Sequence, residues 1–366
     1  MSDAGRIDVT REQVLAYRVA AQGLDRSLAA PEVLALGVQD TPYGSARIAL
    51  AARGASPDGL ELVWSFRGAP HLHRRAGLAA LAGALWPLDD ADATARISTA
   101  SIREGARLGL AAFRATAEAF RAAVTEPTAK GEVSTAVSAA VEPSLTYWCA
   151  TCGARHISGL LFQQAALFGS VGVAAERGRT VLSPLAEPFP VPEAASGTAG
   201  LVRAYLRFLG PATPAEAAAF LGTKPAVVRA VWPDGLAEVA VDGRSAWLPE
   251  SRLPELRAAT SGDAVRLLPP GDPYLQARDR ALVVPERGRQ KEVWRSIGGP
   301  GAVLAGSEVV GIWRARSHGA GGGGGTVEVT VTAFAPLPAA VRRSVEAEAG
   351  RVAAARGAEG ARVRFA

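Results

Sequence analysis

Residues 201–249 constrain the fold most, because helix starts, helix stops and a turn signal follow one another there without a gap. Residues 201–208 are apolar at helical spacing and end at Gly210-Pro211, a helix stop. Thr213-Pro214-Ala215-Glu216 reads as a capping box that opens a second helix, with Thr213 at the N-cap and Pro214 in the first helical position. That helix ends at Gly222. Thr223 opens a third, short one carrying Lys224, Val227, Val228, Arg229 and Trp232, which Pro233-Asp234-Gly235 stops. Residues 236–241 and 244–248 are strand-like runs joined by Asp242-Gly243, the strongest two-residue hairpin signal. Three helices followed by a hairpin predict a winged helix.

The start of the chain repeats this plan. Thr10 and Gln13 form a capping-box pattern, and short helices are expected over 31–36 and 46–53, the latter closed by Gly54. Leu60, Leu62, Trp64 and Phe66 alternate as one buried strand face, and Gly68-Ala69-Pro70 turns the chain towards His71-Leu72-His73. Between these two units, residues 105–124 carry Leu108, Leu110, Phe113, Ala117, Phe120 and Val124 on one helical stripe. Helices over 132–141 and 156–168, with a hairpin of 172–175 and 180–182 turned at Arg177-Gly178, complete a third unit. Beyond Val265 the pattern is strand-rich, at 282–284, 309–313 and 326–334. Residues 321–325, all glycine, read as a mobile hairpin loop, and 338–356 as a closing helix. The expected fold class is α+β: tandem winged-helix units over 1–85, 86–195 and 196–258, then a β-barrel-like element with its closing helix over 259–366.

A chain of 366 residues, 48% of them hydrophobic, can bury two or three cores. Its formal charge of +5 favours an acidic partner such as nucleic acid. That inference is tempered by composition: all basic residues but Lys130, Lys224 and Lys291 are arginine in a chain also rich in alanine and glycine, as GC-rich coding DNA produces. The first ten residues lack a signal peptide's apolar core, and no run approaches the ~18 apolar residues of a membrane span, so a cytoplasmic chain without membrane contact is expected. Cys149 and Cys152 are the two cysteines, too close together to staple distant segments. With His156 they have ligand-like spacing, but a structural zinc takes four ligands, and His71, His73 or His318 would have to come from far away. The expectation is therefore buried thiols beside Trp148, with no metal and no cofactor. Residues 319–325 lack the lysine and the strand-loop-helix setting of a phosphate-binding loop.

Several stretches resemble the AlkZ/YcaQ-like winged-helix family: Tyr205-Leu206 to Thr213-Pro214, Asp242-Gly243-Arg244 to Trp247-Leu248-Pro249, and Leu267-Leu268-Pro269-Pro270-Gly271-Asp272-Pro273-Tyr274. The match continues through Arg278-Asp279-Arg280, Pro300-Gly301-Ala302-Val303-Leu304 and Val310-Gly311-Ile312-Trp313-Arg314. The resemblance implies tandem winged helices around a DNA-sized channel and, in some members, excision of alkylated purines. Those members carry Gln-x-Gln or Gln-x-Asp near the end of the first winged helix. The matching positions here are Gln39-Asp40-Thr41, with the first glutamine kept and Thr41 in the second place.

An N7-alkylated purine is cationic and leaves readily, so an enzyme need only stabilise the sugar oxocarbenium and position water, tasks an amide or carboxylate can share. Gln39 is the candidate for orienting that water. Asp40 is either a base or the cap of the turn at Thr41-Pro42. His71 and His73 share one strand face beside Arg67 and Arg74, either as contacts to phosphate and sugar or as a solvated, basic strand end. The third helix and the wing of a winged helix meet DNA, which nominates Lys224, Arg229 and Arg244. Asp272 and Arg280 belong to a charged knot that reads first as an ion-paired turn and second as a channel carboxylate with its partner. Two functions stay open: a DNA glycosylase, or a monomeric, non-catalytic binder of double-stranded DNA acting as a regulator or lesion binder.

Overall fold

The computed structural model describes residues 7–28, 31–176, 178–318 and 325–366. They form two compact units, each discontinuous in sequence. The first comprises Met1–Asp58, Arg203–Glu216 and Asp234–Ala366, and the second Gly59–Val202 and Ala217–Pro233.

The first unit contains a five-stranded sheet in the order Val265–Leu268, Gly301–Ala305, Glu308–His318, Thr326–Ala333, Gly360–Phe365. The first four strands are antiparallel neighbours, whereas Gly360–Phe365 runs parallel to Thr326–Ala333. A parallel neighbour needs a crossover, and the helix Ala339–Ala355 supplies it. Val327, Val329 and Val331 point inward from alternate positions and pack with Val345, Ala349 and Val352 of that helix and Ile48 of the helix Ser45–Ala52. The sheet is open, with Val265–Leu268 and Gly360–Phe365 at its edges, so the expected barrel-like element is a half-barrel at most. No strand is expected from the sequence at Gly360–Phe365, although the exposed Arg362 and Arg364 alternate there with the half-buried Ala361, Val363 and Phe365, the pattern of a strand with one covered face. Residues 282–284, read as a strand, end a short helix, Arg280–Val283. An apolar run this short carries no period of its own. The glycine loop falls largely on residues 319–324, outside the described residues, but its flanking strands pair as a hairpin.

A second sheet of this unit contains the hairpin expected at Asp242-Gly243. Leu236–Val241 pairs antiparallel with Arg244–Pro249, and both turn residues have positive φ, at 46° and 86°. Ile7–Val9 adds a parallel third strand on the other side of Leu236–Val241. In sequence, the helices Thr198–Leu209, Pro214–Leu221 and Pro225–Ala230 precede this hairpin in the expected order; Pro225–Ala230 belongs to the second unit, and the other two are divided between the units. The capping box is formed: the Thr213 amide donates to Glu216 Oε2 at 2.7 Å and the Glu216 amide to Thr213 Oγ1 at 3.3 Å.

In the second unit the hairpin Leu60–Trp64 and Pro70–Arg74 accompanies the helices Leu78–Leu85, Asp90–Ile97, Leu110–Ala123, Lys130–Ala140 and Gly159–Ala165. Two further hairpins pair Thr146–Cys149 with Ala154–Ile157 and Val171–Glu176 with Arg179–Pro184. Arg177, expected at the turn of the last, lies outside the described residues. His156 was read as the start of a helix but lies within a strand, and the helix begins at Gly159. Trp86, Phe113 and Phe168 meet edge to face, at 4.8 to 6.3 Å between ring centroids, in this unit's core.

Candidate functional site

Gln39 sits at the end of a two-residue strand, Val38–Gln39, where alternation buries Val38 and Asp40 and leaves Gln39 half-exposed. Its Oε1 accepts a hydrogen bond from Gln276 Nε2 at 3.1 Å, and Gln276 Oε1 accepts from Arg278 Nη2 at 3.3 Å. The Arg278 amide in turn donates to the Tyr205 hydroxyl at 3.2 Å. A chain of polar groups therefore fixes the Gln39 amide from behind.

Gly271 lies against this amide. With φ at +78°, it brings a backbone without a side chain so close that a Cβ there would stand 3.4 Å from Gln39 Cδ and from the Thr41 carbonyl. The next residue anchors the loop. Asp272 makes two contacts to Arg53, at 2.8 and 2.9 Å, and accepts from the Tyr274 amide at 2.9 Å, and both side chains of the ion pair are fully buried. Arg53 also donates to the carbonyls of Gln22 and Ala49. Asp272 therefore cannot serve as a channel carboxylate; it is the ion-paired turn of the first reading. Arg18 and Asp279 form a second buried pair, at 2.6 Å. Arg280 is exposed and lies over the Trp294 ring, 5.1 Å from its centroid.

Asp40 turns away from Gln39. Its Oδ1 accepts from the Ala46 amide at 2.9 Å, and the Gly44 amide also bonds to the carboxylate, so it caps the start of the helix Ser45–Ala52. Burial pushes its pKa above the usual carboxylate value, against the pull of those amides and of Arg47. Thr41 is exposed.

Immediately beyond Thr41 the chain lines a cleft of about 490 Å³. Three guanidinium groups, Arg47, Arg314 and Arg356, border it, and among the described residues no carboxylate does. Tyr43 stands at its edge, 65% exposed, and Trp313 is held in its wall by a bond from Nε1 to the Leu268 carbonyl at 2.9 Å. A cationic cleft with an exposed aromatic ring suits phosphate and an unstacked base. None of these four arginine and tyrosine residues was a candidate site residue in the sequence, although Arg314 lies in a stretch that carries the family resemblance. The signal was there only in part, since Tyr43 and Arg47 follow within six residues of the Gln39-Asp40-Thr41 motif.

The histidine pair is not a phosphate contact. His71 and His73 share a strand face as expected, but that face is the buried one, 2% and 4% exposed, with Phe66 and Phe220 packed around it. Burial lowers the pKa of His71 far below its ordinary value and that of His73 to about 3, so both are neutral at physiological pH. His73 Nε2 lies 3.0 Å from Ser65 Oγ, and His71 Nδ1 lies 2.9 Å from the Ala69 carbonyl. Arg67 is half-buried, donating to the Phe220 carbonyl with its guanidinium over the Phe220 ring. Arg74, Lys224 and Arg229 are exposed. Arg244, on the hairpin, is paired with Glu216 at 2.6 Å. The thiols expected to be buried are not: Cys149 is half-buried, Cys152 is exposed, and Trp148 between them and the strand start is 61% exposed.

Among the described residues no helix is long and apolar enough to cross a membrane. A family profile described as DNA glycosylase AlkZ-like matches residues 35–355. No curated protein matches the sequence significantly. Among solved structures, the Streptomyces sahachiroi DNA glycosylase AlkZ is similar in fold, with a TM-score of 0.70 and 24% identity over 98% of this chain and 100% of that one.

Proposed function

This chain belongs to the AlkZ-like DNA glycosylase family, and we propose that it removes N7-alkylated purines from duplex DNA by hydrolysis at C1′, with Gln39 as the residue that positions water. The observation that carries this reading is the pre-set Gln39 amide, bonded to Gln276 and backed by the Gly271 loop, three residues before the chain enters a cleft bordered by Arg47, Arg314 and Arg356. As the bond from C1′ to the purine nitrogen breaks, its electron pair passes to the purinium and neutralises it. The sugar becomes an oxocarbenium, water adds at C1′, and the water proton leaves to solvent. Because the leaving group is pre-activated, the protein need not protonate it. An amide carbonyl that aligns water and faces the developing positive charge is sufficient chemistry.

Asp40 is assigned to positioning. Its carboxylate is occupied by the Ala46 and Gly44 amides, so it holds the loop after Gln39 in place instead of taking a proton. In this reading the helices Thr198–Leu209, Pro214–Leu221 and Pro225–Ala230 and the hairpin at Asp242-Gly243 act as a winged helix, with Lys224 and Arg229 facing phosphates and Arg244 on the wing.

The buried, occupied carboxylate of Asp40 and the presence of Thr41 also favour a second reading, a lesion binder without chemistry. One assay separates the two. Purified protein is incubated with duplex DNA containing a single N7-methylguanine, and released base and bound duplex are both measured. Release by the wild type, slowed in Gln39→Ala at unchanged binding, supports the glycosylase. Tight binding without release assigns the protein to the second reading.

A further inference from the structure

We propose that Cys149, Cys152 and His156 form a binding site for one zinc-class divalent ion at the tip of the hairpin Thr146–Ile157, with two thiolates and one imidazole as ligands. The register of the hairpin brings them together. Cys149 is the last residue of its strand, opposite Ala154, and His156 lies opposite Tyr147. Between the strands the chain turns through Gly153, whose φ is +62° and whose amide donates to the Cys149 carbonyl at 2.9 Å, and this turn folds Cys152 back beside Cys149. The two sulfurs and a ring nitrogen of His156 all lie within 4.8 Å of one another. Around a tetrahedral ion with bonds of ~2.3 Å to sulfur and ~2.0 Å to nitrogen, ligand atoms stand roughly 3.5–3.8 Å apart, so side-chain rotations of about an ångström close the set.

Two features point to a metal over a disulfide. His156 Nε2 is buried and has no hydrogen-bond partner, and a bond between the two sulfurs would leave that nitrogen as it is. In the proposed site the ion takes this nitrogen as its ligand, which gives it the partner it lacks. The neighbouring cation is also turned away: Arg155 donates to Thr146 Oγ1, to the Thr146 carbonyl and to the Pro143 carbonyl, so its charge is held off the sulfurs. A mixed sulfur and nitrogen donor set selects zinc over magnesium or calcium.

Among the described residues no fourth His, Cys, Asp or Glu joins the group. One coordination position therefore falls to water, and with Cys152 exposed the ion exchanges readily, unlike one in a closed four-ligand site. Its local effect is to tie the turn to the strand that carries Trp148.

The test uses the full chain, stripped with a chelator under reducing conditions and titrated with cobalt(II). The expected result is one cobalt per chain, with a sulfur-to-cobalt charge-transfer band and the intense visible bands of a four-coordinate ion. Zinc should displace both. The charge-transfer band should disappear in C149S/C152S, and His156→Ala should keep a weakened charge-transfer band while losing the four-coordinate visible pattern. Circular dichroism of the variants against the stripped wild type separates loss of ligand from loss of fold. Cobalt bound without a charge-transfer band, zinc retained equally by C149S/C152S, or no stoichiometric binding by reduced wild type overturns the proposal. Base release is not part of this readout, so its outcome is independent of the glycosylase assignment.

Discussion

The Gln39 ledge and the His71/His73 pair are both short polar runs on strands, and they ended in opposite environments. Gln39 stays half-exposed because its neighbours Val38 and Asp40 take the inward positions, and because a loop with no side chain at Gly271 packs behind it. His71 and His73 occupy the inward positions themselves, where Phe66 and Phe220 exclude water and discharge both rings. Polar residue type is therefore no guide to access. What decides it is which face of a period-two strand meets the rest of the unit.

The largest effect is expected where the ledge rests on buried charge. Arg53→Met leaves the Asp272 carboxyl without its ion-pair partner in a fully buried position, which should cost about 3–5 kcal/mol in urea denaturation, with Arg53→Met/Asp272→Leu recovering much of it. A loss below about 1 kcal/mol would mean that the pair does not anchor the Gly271 loop. Next in size is Gln39→Ala, which should raise the barrier to base release by about 2–4 kcal/mol in single-turnover assays while leaving duplex binding intact. An unchanged rate would remove the ledge from the chemistry and erase its contrast with the histidines.

Smaller effects should appear at the cleft. Arg47→Ala and Arg314→Ala should each weaken duplex binding across all sequences and reduce the slope of log affinity against log salt by about 1. An unaltered salt slope would place the DNA elsewhere. The smallest effect is expected at the histidines. Since burial holds His73 near pKa 3 and His71 well below its ordinary value, neither carries charge between about pH 5 and 8, and His71→Asn and His73→Asn should leave the pH dependence of DNA binding unchanged. Stability is different. The unfolded imidazoles take up protons below their ordinary value of about 6.5, so the contribution of the buried pair is complete above that pH and declines as pH falls towards 3. Acid unfolding of His73→Asn should therefore begin at lower pH than that of the wild type.

Local signals were legible wherever the physics is local. The capping boxes at Thr10 and Thr213 and the Asp242-Gly243 turn depend on groups within four residues, and each formed as the sequence indicated. The ion-paired character of Asp272 could likewise be read from residue type and neighbours, whereas Gln39 was nominated by the family resemblance alone. Tertiary packing decided the rest, because pairing over long separations leaves no periodic trace in the partners. Ile7 finds Val239, Thr326 finds Gly360 across a helix, and Arg53 finds Asp272 through a chain of more than two hundred residues. Likewise, the Cys149, Cys152 and His156 spacing was visible in the sequence, but only a hairpin in this register, and not the helix first expected, turns the imidazole back onto the two sulfurs.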